Sequence, residues 1–301
     1  MVGVAKAGTT AIYYALKQHP SIEMPDLKEP RFLSYWKKPP NFMNPASRKL
    51  VDGIITEYDQ YTDIFKKLSG NKSLIGEAST SYFYTAEDVV NNMKIIYGEK
   101  FREVKIIILL RNPIDRIWSQ YSMQVRDGQE KRKFLQAVSS DCIEHRMKNN
   151  WPAGFDYVGY SMYASKIKIF QENFKHVSIL FHEDIESSWK TSIKNLLNFL
   201  EVDSKFECQQ KKHNVSGKPK NKILGLFASF IYGPSALKSF FKGIIPRGTR
   251  HYIRTRISDK LLSRGHIPPC EYNQLLEIFR EDIIETQKLT GRDLSDWLAS
   301  R

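Results

Sequence analysis

The stretch Val2–Thr10, "VGVAKAGTT", runs from a short apolar segment through a glycine loop into a helix expected over Ala11–Gln18 and closed by Pro20. Strand, glycine loop and helix in that order build an anion site, because the loop's N–H groups and the helix N-terminus face the same ligand. A Walker loop, G-x-x-x-x-G-K-[ST], carries its lysine directly after the second glycine. Here Thr9 holds that slot and the lysine stands inside the loop, at Lys6. The apolar segment is also shorter than the about five or six residues of an ordinary strand. The natural chain is therefore expected to begin upstream of Met1.

Working outward, the strongest strand signal is Lys105–Leu110, "KIIILL", a continuous run suited to a parallel sheet buried on both faces. It ends in Arg111-Asn112-Pro113, where Asn112 can cap and Pro113 can open the next helix. Further strands are expected at Ser21–Met24, Ser73–Gly76 and Val177–Phe181, and helices at Tyr163–Phe174 and Ser192–Leu200. Residues 37–60, rich in Pro, Asn and Asp, read as irregular. Residues 271–301 read as a closing helix with an apolar face on Leu275, Ile278, Phe279 and Ile283. This alternation predicts an α/β fold, a three-layer α/β/α arrangement around a central parallel sheet, with ligands at the carboxyl ends of the strands. The polar residues standing there are Lys6–Thr10, Glu29, Glu77–Ser81, Arg111 and His182–Asp184. A lone histidine such as His182 is more often a loop hydrogen-bonder than a ligand. Residues 1–301 are expected to form one domain, with 205–301 its basic, mostly helical C-terminal part.

The chain has 301 residues, is 41% hydrophobic, and contains no apolar run long enough for a membrane helix. Its net charge of +13 is uneven: from Lys205 to Arg264 there are 14 Lys or Arg against Glu207 and Asp259 alone. A nearly neutral body with one basic segment points to an anionic ligand. The aromatic stretch 226–241 reads as an amphipathic helix packed on the domain, with peripheral membrane contact as the alternative. Cys142, Cys208 and Cys270 are too scattered for a zinc site or disulfide framework, so a reducing, cytoplasmic location is expected.

The end of "KIIILL" decides the chemistry. An ATP-using enzyme usually holds magnesium through an Asp at the end of a neighbouring strand, and this strand ends in Arg111. Arginine cannot ligate a cation, but its planar fork suits a bare phosphate. The site therefore reads as one for a nucleotide with a second phosphate and no metal. Ser119, about two turns along the same helix, can add a hydroxyl to that phosphate.

The loop "VAKAGTT" with His19-Pro20, then "KEPRF", "GEASTSYF" and "LLRNPIDRIWSQY", and later "GYSMYASKIKIF", "HNVSGKPKN" and "GRDLSDWL", resembles the sulfotransferases that use 3′-phosphoadenosine 5′-phosphosulfate (PAPS). The likeness is to bacterial-type members related to the heparan-sulfate and carbohydrate sulfotransferases, and it implies their P-loop NTPase-like fold. It implies that Lys6, Ala7, Gly8, Thr9 and Thr10 hold the 5′-phosphosulfate and that Arg111 and Ser119 hold the 3′-phosphate. It further implies that Lys218 or Lys220 closes over the nucleotide. Lys6 is then the cation facing the leaving phosphate. Glu29 is the candidate base, with Glu77 second as base or acceptor ligand and Lys28 beside the acceptor. Heparan-sulfate-modifying relatives usually carry lysine after the glutamate of "GEAS", where this chain has Ala78. The acceptor is expected to be a small molecule or glycan, carbohydrate or glycolipid, sulfated on a hydroxyl or an amine. The rivals are a nucleotide kinase-like phosphotransferase and a non-enzymatic module binding nucleic acid or acidic glycan through residues 205–264. The first lacks its lysine and aspartate, and the second leaves the strand-end residues unexplained.

Overall fold

The computed structural model describes residues 1–44, 47–51, 53–66, 68, 72–210, 218–219, 262–263 and 266–301. In chain order the elements are α1 (Thr9–Leu16), β1 (Ile22–Glu23), α2 (Phe32–Tyr35), α3 (Arg48–Val51), α4 (Tyr58–Lys66), β2 (Leu74–Ile75), α5 (Ser81–Tyr84), α6 (Ala86–Tyr97) and β3 (Ile106–Leu110). There follow α7 (Pro113–Arg126), α8 (Phe134–Val138), α9 (Ser140–Lys148), α10 (Ala164–Asn173), β4 (Val177–Phe181), α11 (His182–Ser187), α12 (Trp189–Leu200), β5 (Lys218–Pro219), β6 (Leu262–Ser263), α13 (Pro269–Thr290) and α14 (Ser295–Leu298).

The centre is β3. All five of its residues are buried, as the unbroken apolar run requires. Each large side chain so buried contributes about 2 kcal/mol relative to exposure. On one side β3 pairs in parallel with β4, Ile106 opposite Val177 through Leu110 opposite Phe181. On the other it takes the N-terminal segment: Val2 N–H donates to Ile107 O at 3.0 Å, Val4 N–H to Leu109 O at 2.7 Å, and Leu109 N–H to Gly3 O at 2.7 Å. Gly3 faces Ile108 in the parallel sense. Beyond the N-terminal segment lies residues 79–83, where Phe83 N–H donates to Val2 O and Ser79 N–H to Met1 O. β1 and β2 form a second parallel pair, Ile22 opposite Leu74. The fold is of the expected α/β type, mixing helices with parallel strands.

Asn112 Oδ1 accepts from Ile114 N–H at 3.0 Å and Asp115 N–H at 3.2 Å, with Pro113 opening α7, so this junction is the predicted capped turn. β4 runs over the expected residues. Four expectations need correction. The closing helix expected over 271–301 runs Pro269–Thr290 and ends at the left-handed Gly291, with α14 following as a separate helix. Residues 37–60 are not wholly irregular, since α3 and the start of α4 fall there. α1 is Thr9–Leu16, because the helix starts directly after the Gly8 cap, two residues before the expected start. Ile278 is not on the buried face of the closing helix: it is 50% exposed, while Leu275, Phe279 and Ile283 are buried. The helix buries Leu276 in its place.

The C-terminal helix α13 ties down the strand ends. Tyr272 OH accepts from Asn112 Nδ2 at 3.0 Å. Asp282 accepts the N–H groups of Tyr163 at 2.7 Å and Ala164 at 3.1 Å, closing the start of α10. Asn112→Ala removes the cap of α7 and the bond to Tyr272 together. It should lower unfolding stability by about 2 kcal/mol, read as a shift in the urea midpoint at unchanged m-value.

Candidate active site

The glycine loop ends at Gly8, which caps α1 with φ 97° and offers no side chain to the helix's first N–H groups. Ala11 N–H turns back to Gly8 O at 2.9 Å, and the N–H groups before it, at the helix start, face outward toward an anion. Lys6 is itself left-handed, φ 75°, a conformation that a lysine rarely adopts. Its carbonyl accepts from Arg111 Nη1 at 3.1 Å, so the guanidinium at the end of β3 grips the back of the loop. The Lys6 ammonium lies 3.5 Å from Met123 Sδ.

Burial, then Arg126 and Arg111, bring the Lys6 pKa down to about 8, with Asp127 opposing and Arg116 adding to the fall. Lys6, Arg111, Arg116 and Arg126 therefore crowd one region with Asp127 as the counter-charge. Such crowding is unfavourable unless an anion enters. Arg126 is paired with Asp127 at 2.8 Å. Arg116 is 1% exposed; it donates to Ser161 Oγ and, at 3.0 Å, to Tyr157 O, beneath the Tyr160 ring. Burial lowers its pKa.

Four of these contacts come from one face of α7. Arg116, Ser119, Met123 and Arg126 follow at steps of three, four and three, which places them in line along a helix. Ser119 Oγ is buried and without a hydrogen-bond partner, as is Ser122 Oγ nearby. A buried hydroxyl left unpaired is costly, and Ser119 stands on the same line as the cations. Sequence reasoning names Arg111 and Ser119 on this line but not Arg116, Met123 or Arg126, which the structure brings to the same region. Helical spacing from Ser119 was the available signal.

The Arg111–Asn112 corner is fixed by three elements. Arg111 O accepts from Tyr163 OH at 2.9 Å, Asn112 N–H donates to Glu183 Oε1 at 3.0 Å, and Tyr272 holds the Asn112 amide. His182 opens α11 beside this corner. Its Nδ1 is buried without a partner and would lie 3.4 Å from a Cβ placed on Gly8. Burial and the Arg111 charge lower its pKa, and Glu186 opposes them.

Glu29 occupies a second cluster. Its Oε1 accepts from Lys28 Nζ at 2.8 Å; its Oε2 accepts from Thr80 N–H at 2.8 Å and Thr80 Oγ1 at 3.1 Å, with Arg31 Nε at 3.8 Å. Burial would raise the carboxyl's pKa, but Lys28, Arg31 and the Thr80 N–H outweigh it and hold the group below the usual range. Thr80 O accepts from Tyr160 OH at 2.6 Å, and Tyr160 covers Arg116. The Glu29 cluster and the Lys6 cluster thus meet at Tyr160. Glu77 faces inward, where burial raises its pKa, and accepts from Tyr61 OH and Ser79 Oγ, both at 3.2 Å. Ala78 is 2% exposed, so a lysine there would have no room without movement of the segment. The Lys218–Pro219 strand packs beside α7 and pairs antiparallel with Leu262–Ser263. Lys220, most of the basic segment after residue 210 and the 226–241 stretch lie outside the described residues. All three cysteines are free, and no described helix is long and apolar enough to cross a membrane.

The fold is that of the sulfotransferases: a solved sulfotransferase from Alicyclobacillus acidocaldarius superposes with a TM-score of 0.75 at 23% identity, over 99% of this chain and 97% of that one. The sulfotransferase domain family model matches residues 1–222, and the chain belongs to that family. It is 24% identical over 279 residues to carbohydrate sulfotransferase 15 of Mus musculus, covering 75% of this chain and 48% of that protein. It is 29% identical over 129 residues to the membrane-associated sulfotransferase kil1 of Dictyostelium discoideum, covering 42% of this chain and 22% of that one. The chain thus spans half or less of the length of these relatives.

Lys6 should titrate near 8 in the ligand-free protein, as read by NMR of the isotope-labelled lysine side chain. Arg126→Met removes a positive neighbour and should move that titration upward; an unchanged value would exclude Arg126 as a cause.

Proposed function

We propose that this chain transfers a sulfuryl group from PAPS to a hydroxyl or amine acceptor, most simply one on a carbohydrate or glycolipid. The observation that carries the proposal is the cation cluster of Lys6, Arg111, Arg116 and Arg126 around an uncapped helix start, with the unpaired Ser119 hydroxyl on the same helix face. A donor with two separate anionic groups matches that set. Lys6 and the loop Ala7-Gly8-Thr9-Thr10, with the N–H groups of Gly8, Thr9 and Thr10, would receive the phosphosulfate. Arg111 and Ser119 would receive the 3′-phosphate, with Lys218 or Lys220 closing over the nucleotide. The relative called a carbohydrate sulfotransferase supports the acceptor class.

In the reaction the acceptor oxygen attacks sulfur in line and the bond from sulfur to the bridging phosphate oxygen breaks. Negative charge grows on that bridging oxygen, and the Lys6 ammonium, already held in a desolvated position, stabilises it in the transition state more than in the ground state. The acceptor's proton passes to Glu29 Oε1, the carboxylate oxygen bonded only to Lys28, while Oε2 stays tied to Thr80. Lys28 and Arg31 keep Glu29 ionised, so it is ready to accept a proton at neutral pH although it is a weak base. An amine acceptor loses its proton to the same oxygen.

The test is release of 3′,5′-bisphosphoadenosine from PAPS across a panel of oligosaccharides, glycolipids and phenols, with a chelator present. Turnover with at least one acceptor is expected. No turnover together with no donor binding would refute the assignment. Lys6→Ala should reduce kcat by roughly 100-fold or more, while 3′,5′-bisphosphoadenosine still binds through the 3′-phosphate contacts. In the free enzyme Lys6 loses its charge as pH rises through about 8. The value of kcat/KM for the donor should therefore fall across that range, whereas kcat should hold to higher pH because a bound anion raises the Lys6 pKa.

A further inference from the structure

Two residues of the Lys28–Arg31 turn are left-handed, Glu29 at φ 66° and Arg31 at φ 56°. Neither is glycine, so the surroundings must hold them there. The holding segment is 78–80. Glu29 N–H donates to Ala78 O at 3.0 Å, and Thr80 returns two hydrogen bonds to Glu29 Oε2. The N–H of Arg31 is met by a side chain, Ser79 Oγ, at 2.9 Å. Ser79 is fully buried, and its hydroxyl in turn donates to Glu77 Oε2. Glu77 Oε1 is held by Tyr61 OH, and the Tyr61 ring stacks on Phe32 at 4.1 Å. A single line of contacts therefore runs from the aromatic core through Glu77 and Ser79 to the backbone of Arg31, two residues from Glu29.

We propose that Ser79, oriented by Glu77, is a positioning residue. Its hydroxyl locks the left-handed turn that presents Glu29 Oε1 to the acceptor. This rests on Glu29 as the base, and it gives Glu77 a different part from base or acceptor ligand. Both Glu77 oxygens already serve Tyr61 and Ser79, and the burial that raises its pKa fits an internal brace. Without the Ser79 hydroxyl, Arg31 N–H loses its acceptor and the turn can relax toward ordinary backbone angles. Glu29 then drifts while the donor loop, built on β3 and α1, stays in place.

The experiment is a double-mutant cycle of Ser79→Ala and Glu29→Gln, read as kcat and as affinity for 3′,5′-bisphosphoadenosine. Ser79→Ala alone should lower kcat by about 10- to 100-fold, the scale of a misplacement near 1 Å, with product affinity unchanged. In the Glu29→Gln background the same change should alter kcat by less than about twofold, because the group it positions is gone. A second cycle with Arg31→Gly should also shrink the penalty, since glycine adopts φ near +60° without strain. If Ser79→Ala does not fold, Glu77→Gln, which preserves volume, should lower kcat at intact product affinity. A near-normal kcat in Ser79→Ala, or in Glu77→Gln where that is used, beside an impaired Glu29→Gln overturns the positioning role alone. A loss that persists in full in the Glu29→Gln background does the same. A fully active Glu29→Gln removes the base assignment instead, and the positioning role with it.

Discussion

The pairing of Val2–Val4 with β3 is the interaction on which the site depends. Three main-chain hydrogen bonds set the N-terminal segment parallel to β3, so both strands end at the same edge of the sheet. The glycine loop and Arg111 emerge there as neighbours, and Arg111 closes the arrangement by donating to the Lys6 carbonyl. In a parallel sheet the register of two strands decides which loop residues meet. A shift of one residue would turn the side chains of Val2–Val4 to the opposite face and separate Lys6 from Arg111. The full burial of Ile108, Leu109 and Leu110 resists such a shift, because it would expose apolar surface along the centre of the sheet.

Backbone strain is distributed in a way that separates function from folding. Among the described residues, six that are not glycine have positive φ. Lys37, Asn150 and Glu201 lie at or just past the C-terminal ends of helices, where a left-handed residue is an ordinary way to satisfy the last carbonyls. Lys6, Glu29 and Arg31 have no such explanation. Each of these three carries or adjoins a charged group of the two clusters that meet at Tyr160. Holding a lysine and a glutamate in an uncommon conformation costs free energy of about 1–3 kcal/mol each. The clamps are correspondingly dense, with Arg111 on the Lys6 carbonyl and Ala78, Ser79 and Thr80 on the Glu29 turn.

Elements whose local signal and tertiary role agree were legible in the sequence. "KIIILL" is apolar throughout and buried throughout, and Asn112-Pro113 carries its own capping chemistry. The placing of Lys6 and Arg111 together was legible because both stand at strand ends in an alternating pattern. What was missed depends on contacts distant in sequence. Arg116 and Arg126 look like ordinary helix-surface cations until α7 is seen to turn that face toward Lys6. A glutamate after a strand looks alike in sequence whether it faces outward or toward the core, and only contacts distant in sequence, such as Tyr61 on Glu77, show that Glu77 faces inward. Ile278 continues an apolar pattern, but the 3.6-residue period places Leu276 on the core side instead.

The family match ends at residue 222, yet the strand-end corner is not complete by then. Tyr272 holds the Asn112 amide, Asp282 caps the start of α10, Arg292 pairs with Asp184 at 2.6 Å and Arg301 with Asp115 at 2.8 Å. Asn112 follows Arg111 directly, and Tyr163, whose backbone Asp282 receives, donates to the Arg111 carbonyl. The exposed pairs at Arg292 and Arg301 add little. The Tyr272 and Asp282 contacts are less exposed and act on backbone or cap groups, where an unpaired partner would be costly. The guanidinium that grips the Lys6 loop is therefore aimed by residues some 160 positions away in the chain. The C-terminal helix belongs to the physical definition of the site even though none of its side chains lies in either charged cluster.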